Sequence, residues 1–128
     1  MAVEVIRTGG CACGEVRYTL RGEPTKTGIC HCTDCRKETG SVFLAYADWP
    51  RDKVEVSGEF ETYHGRSFCP RCGSRLFHLS DEYAEICIGS LDQAPNNLAP
   101  SQEGWIKRRE EWLGAISTAS QHDEDPNG

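Results

Sequence analysis

Short alternations of apolar and polar residues, separated by turn-forming residues, run along most of the chain. Val16, Tyr18 and Leu20 alternate with polar side chains, as expected of a strand with one buried face. Residues 43–47 are continuously apolar or aromatic and predict a buried strand. Further strands are predicted at residues 3–6, 54–56, 60–63, 76–79, 84–88 and 105–107. Many short strands at spacings of about 8–12 residues favour a mainly β domain of the sandwich type.

Turn and helix signals complete this pattern. Ser57-Gly58 predicts a turn that would pair strand 54–56 with strand 60–63 as a hairpin. Helix is predicted only in short pieces, at residues 33–38, 93–97 and 109–115. Thr33 is the expected N-cap of the first piece, because its hydroxyl can accept a hydrogen bond from a free backbone N–H.

Composition and charge restrict the kinds of partner. Only 38% of the 128 residues are apolar, so the core alone is expected to be thin. The formal net charge of −6 disfavours binding to the phosphate backbone of a nucleic acid. No apolar run is long enough to cross a membrane, and the first ten residues lack the apolar stretch of a secretory signal. We therefore expect a cytoplasmic location, no nucleic-acid partner and no membrane partner.

The length predicts a single domain over residues 1–118. Residues 119–128 form an acidic tail with few apolar side chains, which is expected to be disordered. In a reducing compartment, paired cysteines more often bind metals than form disulfides.

Seven of the eight cysteines fall in three clusters. Cys69 and Cys72 have the spacing of a zinc knuckle, in which a tight turn presents two thiolates to one ion. Cys11 and Cys13, which lie among glycines, can supply the other two ligands of a tetrahedral site. A structural zinc ion at this site would contribute free energy of folding and compensate for the thin core.

The middle cluster, Cys30, Cys32 and Cys35, offers three thiolates, which is the composition of a catalytic zinc site with one open position. The three negative charges of the thiolates exceed the two positive charges of Zn²⁺, so the centre is a weak Lewis acid and is poorly suited to deprotonating a bound water. It is suited to binding an incoming thiol, lowering the pKa of that thiol and keeping it as a nucleophilic thiolate. The expected substrate is therefore a thiol that meets an electrophile.

Other interpretations of the clusters stay open. His31 would point away from its neighbouring cysteines in an extended segment, although it could instead be a fourth ligand. Both sites could be purely structural, with His31 or Cys87 closing the second one, and the protein would then be a non-enzymatic zinc-binding module for protein partners. The spacings do not match the ferredoxin patterns of iron–sulfur proteins, and disulfides would require export. Cys87 lies between isoleucines and is most simply a small buried hydrophobic residue.

Four segments together resemble the glutathione-dependent formaldehyde-activating enzyme family, whose domain the centromere protein V group shares. They are Gly9-Gly-Cys-Ala-Cys-Gly-Glu-Val-Arg-Tyr18, Cys30-His-Cys-Thr-Asp-Cys-Arg-Lys-Glu-Thr-Gly-Ser41, Phe68-Cys-Pro-Arg-Cys-Gly-Ser-Arg-Leu76 and Gly89-Ser-Leu-Asp92. The resemblance implies a mainly β fold of several small coiled antiparallel sheets with little helix, similar to the guanine-nucleotide-exchange chaperones.

The resemblance also implies cofactors and an activity. It implies a structural zinc ion bound by Cys11, Cys13, Cys69 and Cys72. It implies a second, catalytic zinc ion bound by Cys30, Cys32 and Cys35. The implied reaction joins glutathione and formaldehyde to give S-(hydroxymethyl)glutathione and is classed in the reverse direction as a carbon–sulfur lyase, so the implied partners are a small thiol and a small aldehyde. Arg36 and Lys37 could pair with the carboxylates of a glutathione-like ligand, or could be ordinary surface charges.

The chain departs from the family pattern at two places. Residues 64–67 form a short connection where family members often carry a longer, serine-rich loop. Residues 103–107 contain no histidine, whereas family members often place one before an isoleucine–aromatic pair. If these segments line the substrate pocket, they leave the identity of the thiol open without affecting the zinc ligands.

Overall fold

The computed structural model describes residues 4–127; residues 1–3 of the expected domain and strand, and Gly128 of the tail, lie outside the described part. Within it, eleven strands account for most of the regular structure. They are β1 (Ile6–Gly10), β2 (Arg17–Arg21), β3 (Lys26–Cys30), β4 (Leu44–Pro50), β5 (Val54–Ser57), β6 (Glu61–Tyr63), β7 (Arg66–Phe68), β8 (Arg75–Leu79), β9 (Tyr83–Cys87), β10 (Gln102–Gly104) and β11 (Ser120–Gln121). Helix α1 spans Thr33–Thr39, and single 3₁₀ turns cover Arg51–Lys53, Ile88–Ser90 and Ile106–Arg108. The prediction of a mainly β fold with little helix is confirmed.

The strands form two sheets. The small sheet has the antiparallel order β1-β2-β5, and the large sheet has the order β11-β10-β3-β4-β9-β8-β7-β6. Every pair in the large sheet is antiparallel except the two pairs made by β10, which runs parallel to both β3 and β11. The parallel pairs bring the C-terminal part of the chain beside Cys30, the last residue of β3. None of the helices in residues 4–127 has the length and apolar character needed to cross a membrane.

The core lies where the two sheets pack against each other. Tyr18 of β2 contacts Phe77 of β8 edge to face, with ring centroids 6.1 Å apart. Leu20, Trp49 and Ile86 are also fully buried in this cluster. Burial of these large apolar side chains is the main favourable contribution to the folding free energy.

The predicted hairpin between residues 54–56 and 60–63 is wrong. Strand β5 pairs with β2 in the small sheet, and β6 pairs with β7 in the large sheet. Gly58 has a φ of 91°, and a Cβ at this position would overlap the carbonyl of Glu15. The turn therefore packs against the segment that precedes β2, and burial of Val54 next to Leu20 outweighs the local hairpin signal.

Four local predictions also need correction. Helix α1 begins at Thr33, but its N-cap is Cys32, whose sulfur accepts a hydrogen bond from the N–H of Cys35 at 3.3 Å. Residues 93–97 and 109–115 are not helical. Residues 105–107 do not form a strand, because Trp105 adopts the left-handed conformation (φ 55°) and ends β10.

The expected disorder of the tail differs from what the structure shows for residues 119–127. Ser120–Gln121 form β11 against β10, and the N–H of Trp105 donates to the carbonyl of Glu124 at 3.0 Å. Pro126 packs over Gly104, where an added Cβ would lie 2.9 Å from its ring. Backbone hydrogen bonds to the edge of the sheet thus hold a segment that has few apolar side chains. The domain boundary at residue 118 stays a prediction.

Candidate metal centres and the adjoining cavity

Four cysteine sulfurs converge where the end of β1 meets the turn between β7 and β8. Cys11 and Cys13 follow β1, and Cys69 and Cys72 lie in the turn between β7 and β8. All four sulfurs lie within 4.8 Å of one another, with 3.6 Å from Cys11 to Cys13 and 3.7 Å from Cys13 to Cys69. A tetrahedral zinc ion with Zn–S bonds of about 2.3 Å places its sulfurs about 3.8 Å apart, so this cluster fits the metal.

Hydrogen bonds around the four-cysteine cluster stabilise thiolates. The N–H of Val16 lies 3.2 Å from the sulfur of Cys11. The hydroxyl of Ser74 lies 3.2 Å from the sulfur of Cys72 and accepts from the N–H of Ala12 at 3.0 Å. Hydrogen bonds from Ser74 lower the pKa of Cys72 to about 5. The sequence analysis did not identify Ser74 as part of this cluster, although it directly follows the Cys69–Gly73 turn.

The second cluster joins the end of β3 to the start of α1. Cys30 is the last residue of β3, Cys32 caps the helix, and Cys35 lies in its first turn. Their three sulfurs lie within 4.8 Å of one another and could hold a metal ion. The hydrogen bond with Cys35 lowers the pKa of Cys30 to about 6, and the same contact raises the pKa of Cys35. A thiolate is therefore favoured in this cluster even without a cation.

His31 does not join the three sulfurs. Its side chain is almost fully buried, and its Nε2 lies 2.9 Å from Oε1 of Glu103. The other oxygen of Glu103 accepts hydrogen bonds of 2.7 Å from the N–H of Ile116 and from the amide of Gln121. Burial alone would raise the pKa of Glu103, but the hydrogen bonds from Gln121, His31 and Ile116 lower it overall. This buried pair ties the cysteine segment to β10 and to the tail.

Arg36 and Lys37 face away from the second cluster. Arg36 donates to the carbonyl of Arg108 at 3.0 Å and to the carboxylate of Glu110 at 2.6 Å. Together with Lys107 and Arg108, the two residues line a separate hollow beside α1. Neither is among the residues that line the cavity next to Cys30 and Cys35. Their proposed contact with ligand carboxylates stays a prediction.

A cavity of about 510 Å³ lies over one face of β10, β3, β4 and β9 and is lined by Cys30 and Cys35 at one end. Tyr46 forms part of its floor, and the hydroxyl of Tyr46 accepts a 2.6 Å hydrogen bond from the amide of Gln102. The Tyr46 ring lies across Gly28, where a Cβ would overlap it. Burial raises the pKa of Tyr46 to about 12, so its hydroxyl keeps its proton at neutral pH.

A further wall of the cavity, beside Cys30, comes from the C-terminal part of the chain. Trp105, Asp125, Pro126 and Asn127 line it. The left-handed backbone of Trp105, which is uncommon for an aromatic residue, is held by the hydrogen bond from its N–H to the tail. Sequence reasoning missed this wall because it treated the tail as disordered and Trp105 as part of a strand.

The fold and these two clusters define a mainly β protein in which two sets of cysteines could each hold a metal ion. The family model described as "Glutathione-dependent formaldehyde-activating enzyme" matches residues 6–108. Because the match covers most of the chain, the chain belongs to this family. The resemblance inferred from the four cysteine-containing and glycine-containing motifs is thereby confirmed.

Two curated relatives agree with this assignment, and a solved structure shares the fold. A protein of Aspergillus terreus named "Putative glutathione-dependent formaldehyde-activating enzyme" is 24% identical over 125 residues, which cover 91% of this chain and 63% of the relative. An uncharacterized lyase of Schizosaccharomyces pombe is 30% identical over 74 residues, which cover 54% of each protein. The chain thus spans less than two thirds of the length of these curated relatives. The crystal structure of a Rhodobacter sphaeroides protein has the same fold, with a TM-score of 0.55 at 19% identity over 75% of this chain and 98% of that protein.

Proposed function

We propose that the chain is a zinc-dependent carbon–sulfur lyase that handles a thiol, glutathione or a similar compound, and a small aldehyde such as formaldehyde. The observation that carries the proposal is the position of the second cluster at the wall of the cavity. Two of its cysteines, Cys30 and Cys35, line the cavity, so a small molecule there can approach their sulfurs. Within residues 4–127, no fourth His, Cys, Asp or Glu ligand atom joins the three sulfurs. The family match and the relatives' names support the same reaction class.

The proposed roles divide between the two clusters. Cys11, Cys13, Cys69 and Cys72 would hold a structural zinc ion. Cys30, Cys32 and Cys35 would hold the catalytic one. When bound by three cysteines, zinc supplies an open position that lowers the pKa of a thiol and keeps it as a thiolate.

The reaction forms one bond between the sulfur of the thiol and the carbonyl carbon of the aldehyde. The π bond of the carbonyl group breaks, and the proton that leaves the thiol ends on the former carbonyl oxygen. In the lyase direction, the carbon–sulfur bond breaks and the proton returns to the sulfur. In this proposal the cavity holds the two reactants side by side, which gives the usual advantage of proximity. The Tyr46 hydroxyl already accepts a hydrogen bond from Gln102 and so can direct its own proton toward the aldehyde oxygen.

The direct test is the rate at which glutathione and formaldehyde equilibrate in the presence of the zinc-loaded full chain. We expect acceleration over the uncatalysed rate, its loss in Cys32→Ala, and its retention in Cys87→Ser. Cys87 is the matched control, because it is a buried cysteine outside both clusters. An unchanged rate with the wild-type protein would reject this pair of substrates.

A second measurement separates the enzyme from a non-enzymatic zinc-binding module. In the cobalt-substituted protein, added thiol should change the thiolate-to-cobalt absorption bands if the three-cysteine site has an open position. Bands that stay unchanged with every thiol tested would favour the binding module and contradict the proposal.

A further inference from the structure

Helix α1, which is capped by Cys32 and contains Cys35, has no apolar anchor. Its seven residues, Thr33–Thr39, include no apolar side chain apart from Cys35, and none of them is fully buried. A helix of this length is not stable by itself in water, so contacts with the rest of the chain must hold it in place. These contacts therefore also determine where the two cysteines present their sulfurs.

Glu38, near the end of α1, makes a shielded ion pair with the large sheet. Its side chain is only 11% exposed, and both of its carboxylate oxygens are paired. Nε and Nη2 of Arg75 lie 2.8 and 2.7 Å from Oε2, and Nε of Arg66 lies 3.2 Å from Oε1. Arg75 is itself fixed, because its Nη1 donates to the carbonyl of the fully buried Phe77 at 2.9 Å. Glu38 thus joins the helix to the core of the sheet.

The ion pair at Arg36 is more exposed. Arg36 lies two positions before Glu38 and therefore on a different face of the helix. It pairs with Glu110, and the two side chains are 33% and 32% exposed. Water screens an exposed ion pair, whereas removal of one partner of a shielded pair leaves the remaining charges without compensation. The pair at Glu38 is therefore the stronger of the two.

Glu38 is also well placed to act on Cys35. The two residues are three positions apart, so they lie on the same face of α1. The hydroxyl of Thr39 donates to the carbonyl of Cys35 at 2.8 Å and ties the last turn of the helix to the first. Arg66 and Arg75 belong to β7 and β8, the strands on either side of the turn that contributes to the four-cysteine cluster. The carboxylate thus connects the helix of one cluster to the strands of the other.

We propose that Glu38 is a positioning residue of the three-cysteine site, because it fixes α1 so that the sulfur of Cys35 meets the other two sulfurs of the cluster. The inference rests on the proposed function, which takes this cluster as a metal site. Cys30 is held by the sheet through its pairing with β4 and β10, so Cys35 is the ligand that moves when the helix shifts. All ligands of the four-cysteine cluster lie outside α1 and should keep their metal ion.

The test removes cobalt stepwise from the cobalt-substituted full chain with increasing concentrations of EDTA, and the thiolate-to-cobalt absorption is followed. The step that is lost in Cys32→Ala belongs to the three-cysteine site. We expect Glu38→Gln to weaken cobalt binding in this step about tenfold, as is usual when a group that orients a metal ligand is removed, and to change the other step by less than about twofold. The absorption per cobalt in the weakened step should fall by about one third, since three Co–S bonds become two.

This absorption distinguishes positioning from a general loss of stability. A variant that is merely less stable would lose both cobalt ions more easily and keep the wild-type absorption per bound cobalt. That result would overturn the proposal.

Glu110→Gln is the matched control, because it breaks the more exposed ion pair of the same helix. It should change the three-cysteine step by less than about twofold, and a loss equal to that of Glu38→Gln would overturn the proposal. In a background that already carries Arg75→Gln, adding Glu38→Gln should weaken the step by less than about threefold, because Glu38 acts mainly through Arg75. A further tenfold loss in that background would contradict this route.

If Glu38→Gln does not fold, Glu38→Asp decides the matter. Aspartate keeps the charge but is one methylene shorter, so it cannot reach both arginines at once. The three-cysteine step should then weaken by more than about twofold, and an unchanged step would overturn the proposal.

The outcomes also separate this inference from the function on which it rests. If the wild-type protein shows no cobalt step that depends on Cys32, the proposed function fails and this proposal falls with it. If such a step responds to added thiol but is unaffected by Glu38→Gln, the proposed function stands and only the role of Glu38 is overturned.

Discussion

Replacing Glu85 by glutamine should make the free protein more stable at alkaline pH. Glu85 lies opposite Asp48 and is largely shielded from solvent, and these two effects raise its pKa from 4.5 to about 7, with burial the larger. A carboxyl group whose folded-state pKa lies above its unfolded-state pKa contributes stability below pH 4.5. That contribution is lost as the pH rises through about 7, because ionisation is then easier in the unfolded chain.

The size of the effect follows from the shift in pKa. Each unit corresponds to about 1.4 kcal/mol, so full ionisation of Glu85 lowers the free energy of unfolding by about 3 kcal/mol. About 2 kcal/mol of this loss falls between pH 5.5 and pH 8.5. Glutamine keeps the shape of the side chain and does not ionise, so the Glu85→Gln variant should lack this pH dependence.

The assay is urea denaturation of the zinc-loaded wild-type and variant proteins at pH 5.5 and pH 8.5, followed by circular dichroism. The difference in unfolding free energy between the two proteins should change by about 2 kcal/mol between the two pH values, in favour of the variant at pH 8.5. The exposed control Glu59→Gln should follow the wild type at both. Parallel pH profiles for the wild type and Glu85→Gln would refute the reasoning.

Three further substitutions test other parts of the structure. Glu103→Ala should lower the unfolding free energy by about 3–5 kcal/mol in urea denaturation, because it leaves the buried His31 without its partner and removes the acceptor of the Ile116 N–H and the Gln121 amide. A loss below about 1 kcal/mol would contradict the role of the buried pair. Cys72→Ala should remove the tertiary signal in near-ultraviolet circular dichroism and about one equivalent of bound zinc, since the four-cysteine cluster loses a ligand; a folded variant with full zinc content would contradict that assignment. Gly28→Ala should destabilise the chain by about 1–3 kcal/mol, because the added methyl group displaces the Tyr46 ring. Thermal denaturation should show a lower Tm, and an unchanged Tm would contradict the close packing.

The cysteine clusters could be predicted from the sequence because their spacing is local. Two cysteines separated by one or two residues can only present their sulfurs from a tight turn or a helix start, as Cys69 and Cys72 do. Because a tetrahedral zinc site needs four ligands, the Cys69–Cys72 pair requires a second pair, and Cys11 and Cys13 were the predicted one. The structure brings these four cysteines together. The mainly β class was predictable for the same reason, since alternation and turn residues act over a few positions.

Features that depend on which strands become neighbours could not be predicted. The chain does turn after Val56, as the sequence predicts. However, β5 pairs with β2 rather than with β6, because this pairing buries Val54 in the small sheet. Asp48 and Glu85 look like ordinary surface charges until β4 and β9 are placed side by side. Glu103 shows nothing in the sequence that distinguishes it from an exposed glutamate.

The four-cysteine cluster also affects how the protein can be made. Cys13 and Cys69 are 56 positions apart, so more than half of the polypeptide must leave the ribosome before the donors can meet. Until then Cys11 and Cys13 are thiols on a nascent segment that has not yet met its partners Cys69 and Cys72. If this cluster binds zinc, the ion can close it only late in synthesis, and zinc starvation would leave full-length molecules whose open cluster exposes them to proteases.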